Sequence, residues 1–377
     1  MNKTHVTAAA ALLFLALPLF AQQANSASST LTINGANSGA APYSTSMVSG
    51  ATMTIAVIGP VNAPFVLATG PLSIGSLVFV GGAGQIDIGP SIEIVIDGYA
   101  GSSAEAAVAN CGSTGTASFC VPVSASYASA ASVVQAFQSV IVDASLAPTY
   151  FAISAATELT VTVPTGLVAN AGCDATATTL ESGVVLDGSA SSSGPAVTYL
   201  WTYTGNVAGV TIQNATSAVA SFNVPAGVAF SATGNALTAA TMTFQLAVSD
   251  GTSTDSDSVD VDVSISFAND VNPIFSDNSL TDSTGANARC INCHTVTAPS
   301  GLNLAQTLAQ NYAAVIAGGN GGTTVNLANP AASRLITKPG YNIPNDLGHT
   351  GGSIFNGPTN TYYQTMLAWI SQGALNN

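Results

Sequence analysis

Between residues 29 and 160 apolar and polar positions alternate in short runs, TMTIAVIG, SLVFVGG, SIEIVIDG, VVQAFQSVIVD and ELTVTVP, divided by Gly, Pro and Ser. In SIEIVIDG, Ile92, Ile94 and Ile96 alternate with Glu93, Val95 and Asp97. Period two is the strand signature, and turn signals recurring every 8–15 residues predict a β-sandwich or barrel. A second unit of the same character spans 164–265, with TYLWTY, ASFNVPAG, MTFQLAVSD and SVDVDVSI. Beyond residue 266 the period becomes helical. Val271, Ile274 and Phe275 make one stripe, and Tyr363, Met366, Leu367 and Ile370 make another, stopped at Gly373. The pattern predicts a multidomain chain: all-β over 29–160 and 164–265, as two sandwiches, then a small all-α domain over 266–377.

Residues 1–21 stand outside this scheme. Lys3, an apolar run over 8–20 and the small residues Ala21 and Ala24 read as a secretory signal peptide. About 20 apolar residues are needed to span a bilayer, and this run is shorter, so cleavage is expected and no membrane span after it. The expected location is periplasmic, extracellular or at the cell surface, where disulfides form.

Composition changes the picture by exclusion. Only 6% of the 377 residues are charged, with four Lys+Arg against 18 Asp+Glu and a net charge of −14. Such a field repels phosphate backbones and anionic lipid, which excludes a nucleic-acid binder and polybasic membrane docking. The asymmetry is also local. Residues 22–265 hold 14 carboxylates and no Lys or Arg, whereas 266–377 hold four acids and the bases Arg289, Arg334 and Lys338. A nearly neutral last domain is expected to dock a partner through apolar contact, with little long-range steering.

The five cysteines fall into three groups. Cys111 and Cys120 bracket a short Gly/Ser-rich loop, and a disulfide between them is expected to stabilise by roughly 2.5–3 kcal/mol. Cys173 is expected to be a small buried residue or, less simply, an intermolecular bridge. The acidic residues Asp250, Asp255, Asp257, Asp260 and Asp262 raise a calcium hypothesis. Alternation in VDVDV answers part of it: Asp260 and Asp262 face solvent while Val259, Val261 and Val263 face inward.

The chemistry-bearing motif is Arg289-Cys290-Ile291-Asn292-Cys293-His294. Cys-x-x-Cys-His is the attachment signature of c-type haem. On a helix these positions share a face, so both thiols can add to the porphyrin vinyl groups while His294 reaches the iron. Three other readings compete. A tetrahedral zinc site needs four ligands, for which Cys290, Cys293, His294 and His349 are at hand. A Cys290–Cys293 disulfide or a thioredoxin-type redox pair does not need the adjacent histidine. A second iron ligand must lie downstream, and His349 in the Gly-rich loop 347–352 and Met366 in the last helical stripe are the candidates. The loop histidine is the preferred one, because glycines allow close approach to a porphyrin.

Two resemblances sharpen this reading. LDGSASSS, Tyr199-Leu200-Trp201 and Val248-Ser249-Asp250-Gly251, in that order, resemble the polycystic-kidney-disease (PKD) type of Ig-like domain. Thr-Tyr-Thr-Gly-Asn after Trp201 departs from that family's acidic glycine turn. Trp201 itself is expected as the inward anchor of the sandwich core. SFANDVNPIFSD followed by ARCINCH, and then SGLNL, NYAAVIAGG, NPAASRLITKPG, GHTGG and YYQTMLAWISQGA, resemble monohaem cytochrome c domains appended to bacterial secreted proteins. That resemblance implies a small helical fold around one covalent haem c, opened by an amphipathic helix that crosses the last one.

The function these features predict is an exported carrier of single electrons rather than an enzyme, serving a redox partner protein. Histidine on both sides of the iron predicts a lower potential than methionine ligation. The β-domains are expected to space or dock the haem. The alternative is an adhesion or binding protein, recognising a surface polymer or self-associating, whose haem domain serves a larger oxidative complex.

Overall fold

The computed structural model describes residues 28–36, 42–79, 84–97, 109–146, 150–225, 228, 231–233, 236–238, 240–281, 285, 287–297, 301–319, 322–341, 349 and 354–377. Residues 1–21, expected to be a signal peptide, and all of the loop 347–352 except His349 lie outside them. The chain is mostly β-sheet and divides into two compact units. One comprises Met1–Cys173 with Ser189–Val197 and Val248–Asp255; the other comprises Asp174–Gly188, Thr198–Ala247 and Ser256–Asn377.

In the first unit the strands are β1 (Thr30–Ile33), β2 (Tyr43–Val48), β3 (Thr52–Ile58), β4 (Phe65–Gly70), β5 (Leu72–Phe79), β6 (Gly84–Ile88), β7 (Glu93–Asp97), β8 (Thr116–Pro122), β9 (Val133–Val142), β10 (Phe151–Ile153) and β11 (Thr157–Thr162). One sheet runs β1-β3-β8, and a second runs β2-β11-β9-β4-β7 with β10 also paired to β9. Alternate residues of both sheets meet in one core, among them Leu31, Ile33, Ile55 and Val57 from the first and Phe65, Leu67, Ile141 and Leu159 from the second. That is the sandwich the period-two runs predict.

The strand expected at SIEIVIDG is borne out, whereas the Cys111–Cys120 disulfide is not. The strand at SIEIVIDG forms, but as β7 it is an edge, and Ile92, Ile94 and Val95 are all exposed while only Ile96 packs on the core. Cys111 and Cys120 do not pair. On β8, Ala117 and Phe119 point inward and Ser118 and Cys120 outward, whereas Cys111 is buried in the core. Successive strand residues face opposite sides, so Cys120 bonds instead to Cys173, 53 residues away, with Cα atoms 6.0 Å apart. Cys111 is a free thiol near the Val57 carbonyl, and burial pushes its pKa up.

The β part of the second unit contains β12 (Ala175–Thr178), β13 (Val184–Asp187), β14 (Thr198–Tyr203), β15 (Ile212–Gln213), β16 (Val219–Phe222), β17 (Ser231–Thr233), β18 (Ala236–Thr238), β19 (Ala240–Ser249) and β20 (Thr254–Ser264). The sheet β12-β20-β19-β14 faces the sheet β13-β16-β15, with the Phe222 and Phe244 rings 4.3 Å apart between them. Trp201 is 2% exposed, and its indole N–H donates to the Ser217 carbonyl at 3.1 Å, so the large inward residue is also satisfied. A side chain on Gly188 would meet Leu246 and the Trp201 ring, which explains the glycine in LDGSAS. After Trp201 the Tyr203 ring covers Gly205 and its hydroxyl accepts from the Val207 N–H at 3.1 Å, a local substitute for the missing acidic turn.

β20 runs into the helical part. The expected opening helix is instead one π-helical turn, Phe267–Val271, followed by a 3-10 turn, Asn272–Ser276. Pro273 supplies no N–H and interrupts an α-helical ladder. The apolar stripe survives, with Val271, Ile274 and Phe275 buried. The Asp270 carboxylate accepts from the Ser266 N–H at 2.8 Å and from the Thr179 hydroxyl. The last helix, Thr361–Ser371, is capped by Asn360, whose side chain accepts from the Tyr363 N–H, and ends before Gly373 at φ +100°. Its Trp369 packs 5.2 Å from Phe267, so the first and last turns of this part meet in one core. Among the described residues no helix is long and apolar enough to cross a membrane.

Candidate functional site

The motif residues Cys290–Cys293 form a single helical turn, closed by the His294 N–H donating to the Cys290 carbonyl at 2.9 Å. That bond places Cys290 and His294 on one face. The turn is seated from behind by Ala288 N–H to the Leu280 carbonyl at 2.9 Å and by the Asn287 side chain to the Asn278 carbonyl at 2.8 Å. His294 is half-buried, and its Nδ1 lies 3.2 Å from the Leu302 carbonyl. A carbonyl only accepts, so Nδ1 carries the proton and Nε2 the lone pair. The Leu304 N–H donates to the His294 carbonyl at 2.8 Å, so SGLNL clamps the histidine through its backbone.

Across from it stands His349. The two imidazole rings are 5.9 Å apart and inclined by 25°. Both line a cavity of about 320 Å³, together with Cys290, Cys293 and Met366. Its apolar wall comes from Phe275, Leu302, Leu304, Leu335, Ile354 and Phe355. Gly319 and Gly322 form another side, at a turn where a side chain on Gly318 would strike the Gly322 carbonyl. Met366 is 1% exposed and belongs to the core as well as the cavity wall.

Electrostatics suit reduced thiols and a neutral imidazole. Burial pushes the Cys290 thiol up to about 12, so it is protonated and slow in disulfide exchange at neutral pH. Cys290 and Cys293 are both free thiols. Burial, and to a smaller extent His349, holds the His294 pKa below the ordinary histidine value, against the opposing Leu302 bond. Among the described residues no group of three or more His, Cys, Asp or Glu side chains is arranged to hold a metal ion, so the four zinc candidates are not gathered as a cage.

The acidic residues behave differently. Asp250 Oδ1 accepts from the Ser253 N–H, the Thr252 hydroxyl and the Thr252 N–H at 2.7–2.9 Å, closing the β19–β20 turn. Asp255 accepts from the Ala169 N–H at 2.9 Å. Asp260 and Asp262 accept from the hydroxyls of Thr243 and Thr241 across the sheet, while Val259, Val261 and Val263 are buried as the alternation requires. Arg289, Arg334 and Lys338, the three bases of 266–377, all line the cavity, which their positions in the sequence did not indicate.

Comparison with known proteins bears on the β part. A family model of the PKD domain matches residues 171–263. Residues 171–263 form a PKD domain. Among solved structures, the PKD domain from KIAA 1837 protein is 30% identical, with 28% of this chain and 92% of that chain covered and a TM-score of 0.22. A chimeric titin Z1Z2 structure is 13% identical over 65% of this chain and 98% of its own, with a TM-score of 0.18. Domains 3–5 of the extracellular part of Drosophila OTK are 12% identical over 65% and 68%, with a TM-score of 0.21. No curated protein matches the chain. The PKD match covers about a quarter of the residues and leaves 266–377 to be read from its own geometry.

Proposed function

We propose that the chain is an exported c-type cytochrome carrying one covalent haem for single-electron transfer. The observation that carries this reading is the facing of His294 and His349 at 5.9 Å beside two reduced thiols. Both rings border the same cavity as the two thiols, so one group filling it would be within reach of Cys290, Cys293, His294 and His349. Bound haem would supply a reversible one-electron iron couple. Cys290 and Cys293 would anchor it, and His294 and His349 would hold its iron. The Leu302 carbonyl would fix the ring of His294 and raise its basicity, as outer-shell partners of metal-bound histidines do. The apolar wall would keep water away from it, and with both histidines used to hold the group the site would favour electron transfer over oxygen or peroxide chemistry.

A leader peptide, the PKD domain and a disulfide all support an extracytoplasmic location, periplasmic or at the cell surface. The PKD domain also favours a second reading, in which the β-domains bind a surface polymer or partner subunit and the haem serves a larger oxidative complex. The optical spectrum of His349→Ala tests the ligand set. The expected change is from low-spin to high-spin iron; an unchanged low-spin spectrum removes His349 and leaves Met366 as the ligand.

A further inference from the structure

A domain that serves as a tether or an independent docking module is joined to its neighbour by an exposed, polar linker that few contacts cross. No such segment separates the PKD domain from the helical part. β20 ends at Ser264 and the π-helical turn is capped by Ser266, so only Ile265 stands between them. Ile265 is 4% exposed and sits in the core that also holds Phe267 and Trp369. β12, β18, most of β20 and all of 266–377 belong to one compact unit.

Polar groups from both sides close the joint. From the PKD domain comes Thr179, which follows β12 and is itself buried. Its N–H donates to the Ser264 carbonyl at 3.0 Å, and its hydroxyl accepts from the Ser266 N–H at 3.2 Å and donates to Asp270. Its carbonyl accepts from the Asn269 side chain at 3.0 Å. From the residues after the last helix come Gln372 and Asn377. Gln372 Oε1 accepts from the Ile265 N–H at 2.7 Å. Asn377 accepts from the Phe267 N–H at 2.9 Å through Oδ1 and from the Ser266 hydroxyl at 3.0 Å through its carbonyl, while its side-chain amide donates to the Ile265 carbonyl at 3.3 Å. Strand β18 lies against the last helix. Ile265, Ser266 and Phe267 are all buried, so parting the two sides would strip partners from buried backbone groups, which is costly.

We infer that the PKD domain and 266–377 form one rigid, cooperatively folding body with Thr179, Asp270 and Asn377 as its joint. The PKD domain therefore fixes the position of the cysteine-motif cavity instead of tethering it. This coupling is built from protein groups alone and stands whether or not the chain carries haem.

Native-state hydrogen exchange, read by mass spectrometry on the full-length chain across a urea series, tests it. Peptides from β19 report the PKD domain, and peptides from the last helix report the helical part. One urea midpoint is expected for both. Two separate midpoints in the unsubstituted chain, where no folding defect intervenes, overturn the inference. Leu246→Ala removes a buried side chain of the PKD core and is expected to lower both midpoints together, by about 1 M; a shift confined to the β19 peptides overturns the inference as well. Asp270→Ala combined with Asn377→Ala is expected to uncouple the two sides, so that Leu246→Ala in that background moves the β19 midpoint alone. Coupling that survives the loss of both side chains overturns the assignment of the joint to these residues.

Discussion

On β20 and its turn, Asp250, Asp255, Asp260 and Asp262 each accept hydrogen bonds from this chain's own hydroxyl or amide groups. In the cavity of 266–377, two free thiols lie within one helical turn, and two histidines face each other. Both regions look like candidate ligand sites when only residue types are counted. What separates them is whether the polar groups are already satisfied. Carboxylates that complete turns and cross-strand pairs have been absorbed into the fold, whereas the Cys290 and Cys293 thiols beside the cavity are bonded to no other cysteine.

The largest test of that contrast replaces the thiols. Cys290→Ala with Cys293→Ala should abolish covalent haem in a strain competent for cytochrome c maturation, while Asp250→Asn and Asp260→Asn should leave haem content unchanged. Haem loss in either aspartate variant would erase the distinction. Next in size are two structural anchors of the β-domains, where no ligand is expected. Trp201→Ala should cost roughly 3–5 kcal/mol in urea unfolding, by loss of a buried side chain and the cavity it leaves. Removing the Cys120–Cys173 bond by paired substitution to Ala should cost about 4 kcal/mol in the chain-entropy model, set by the 53-residue separation. Neither change should alter the optical spectrum of the haem domain; a spectral change would tie these residues to the site.

The smallest effect is at Asp250. The Ser253 amide, then the Thr252 hydroxyl and amide, hold its carboxyl at about 2, below an unfolded value of about 3.9. A depressed folded pKa stabilises the protein above the unfolded value, and that contribution is lost as pH falls from about 4 towards 2. Thermal midpoints measured across that window should fall less steeply in Asp250→Asn than in the parent. Isothermal titration with calcium should give no heat in either; calcium heat lost in the variant would make Asp250 a ligand after all.

How far the sequence could be read depended on the kind of information each feature carries. Alternation placed the strands and put Val259, Val261 and Val263 inside, because period two is a local property. It also found β7, but not that Ile94 and Val95 are exposed, since only the order of strands in a sheet determines that β7 is an edge. The disulfide was misassigned for a related reason: proximity in sequence suggested Cys111, while the pleat sends Cys120 to the opposite face. Helical spacing found the buried positions Val271, Ile274 and Phe275, though Pro273 converts the expected helix into one looser and one tighter turn. The motif singled out Cys290, Cys293 and His294, which all line the cavity. His349 could be singled out beside them as the loop histidine, but its ring lying 5.9 Å from that of His294, and Arg289 reaching the same cavity as Arg334 and Lys338, are tertiary facts.

The central claim is the single covalent haem, and intact-mass analysis combined with a pyridine haemochrome spectrum tests it most directly. The chain exported by a strain competent for cytochrome c maturation should carry one haem by mass and give the spectrum of a haem bound through two thioethers. A chain recovered with no added mass and no haemochrome from that strain would contradict the account.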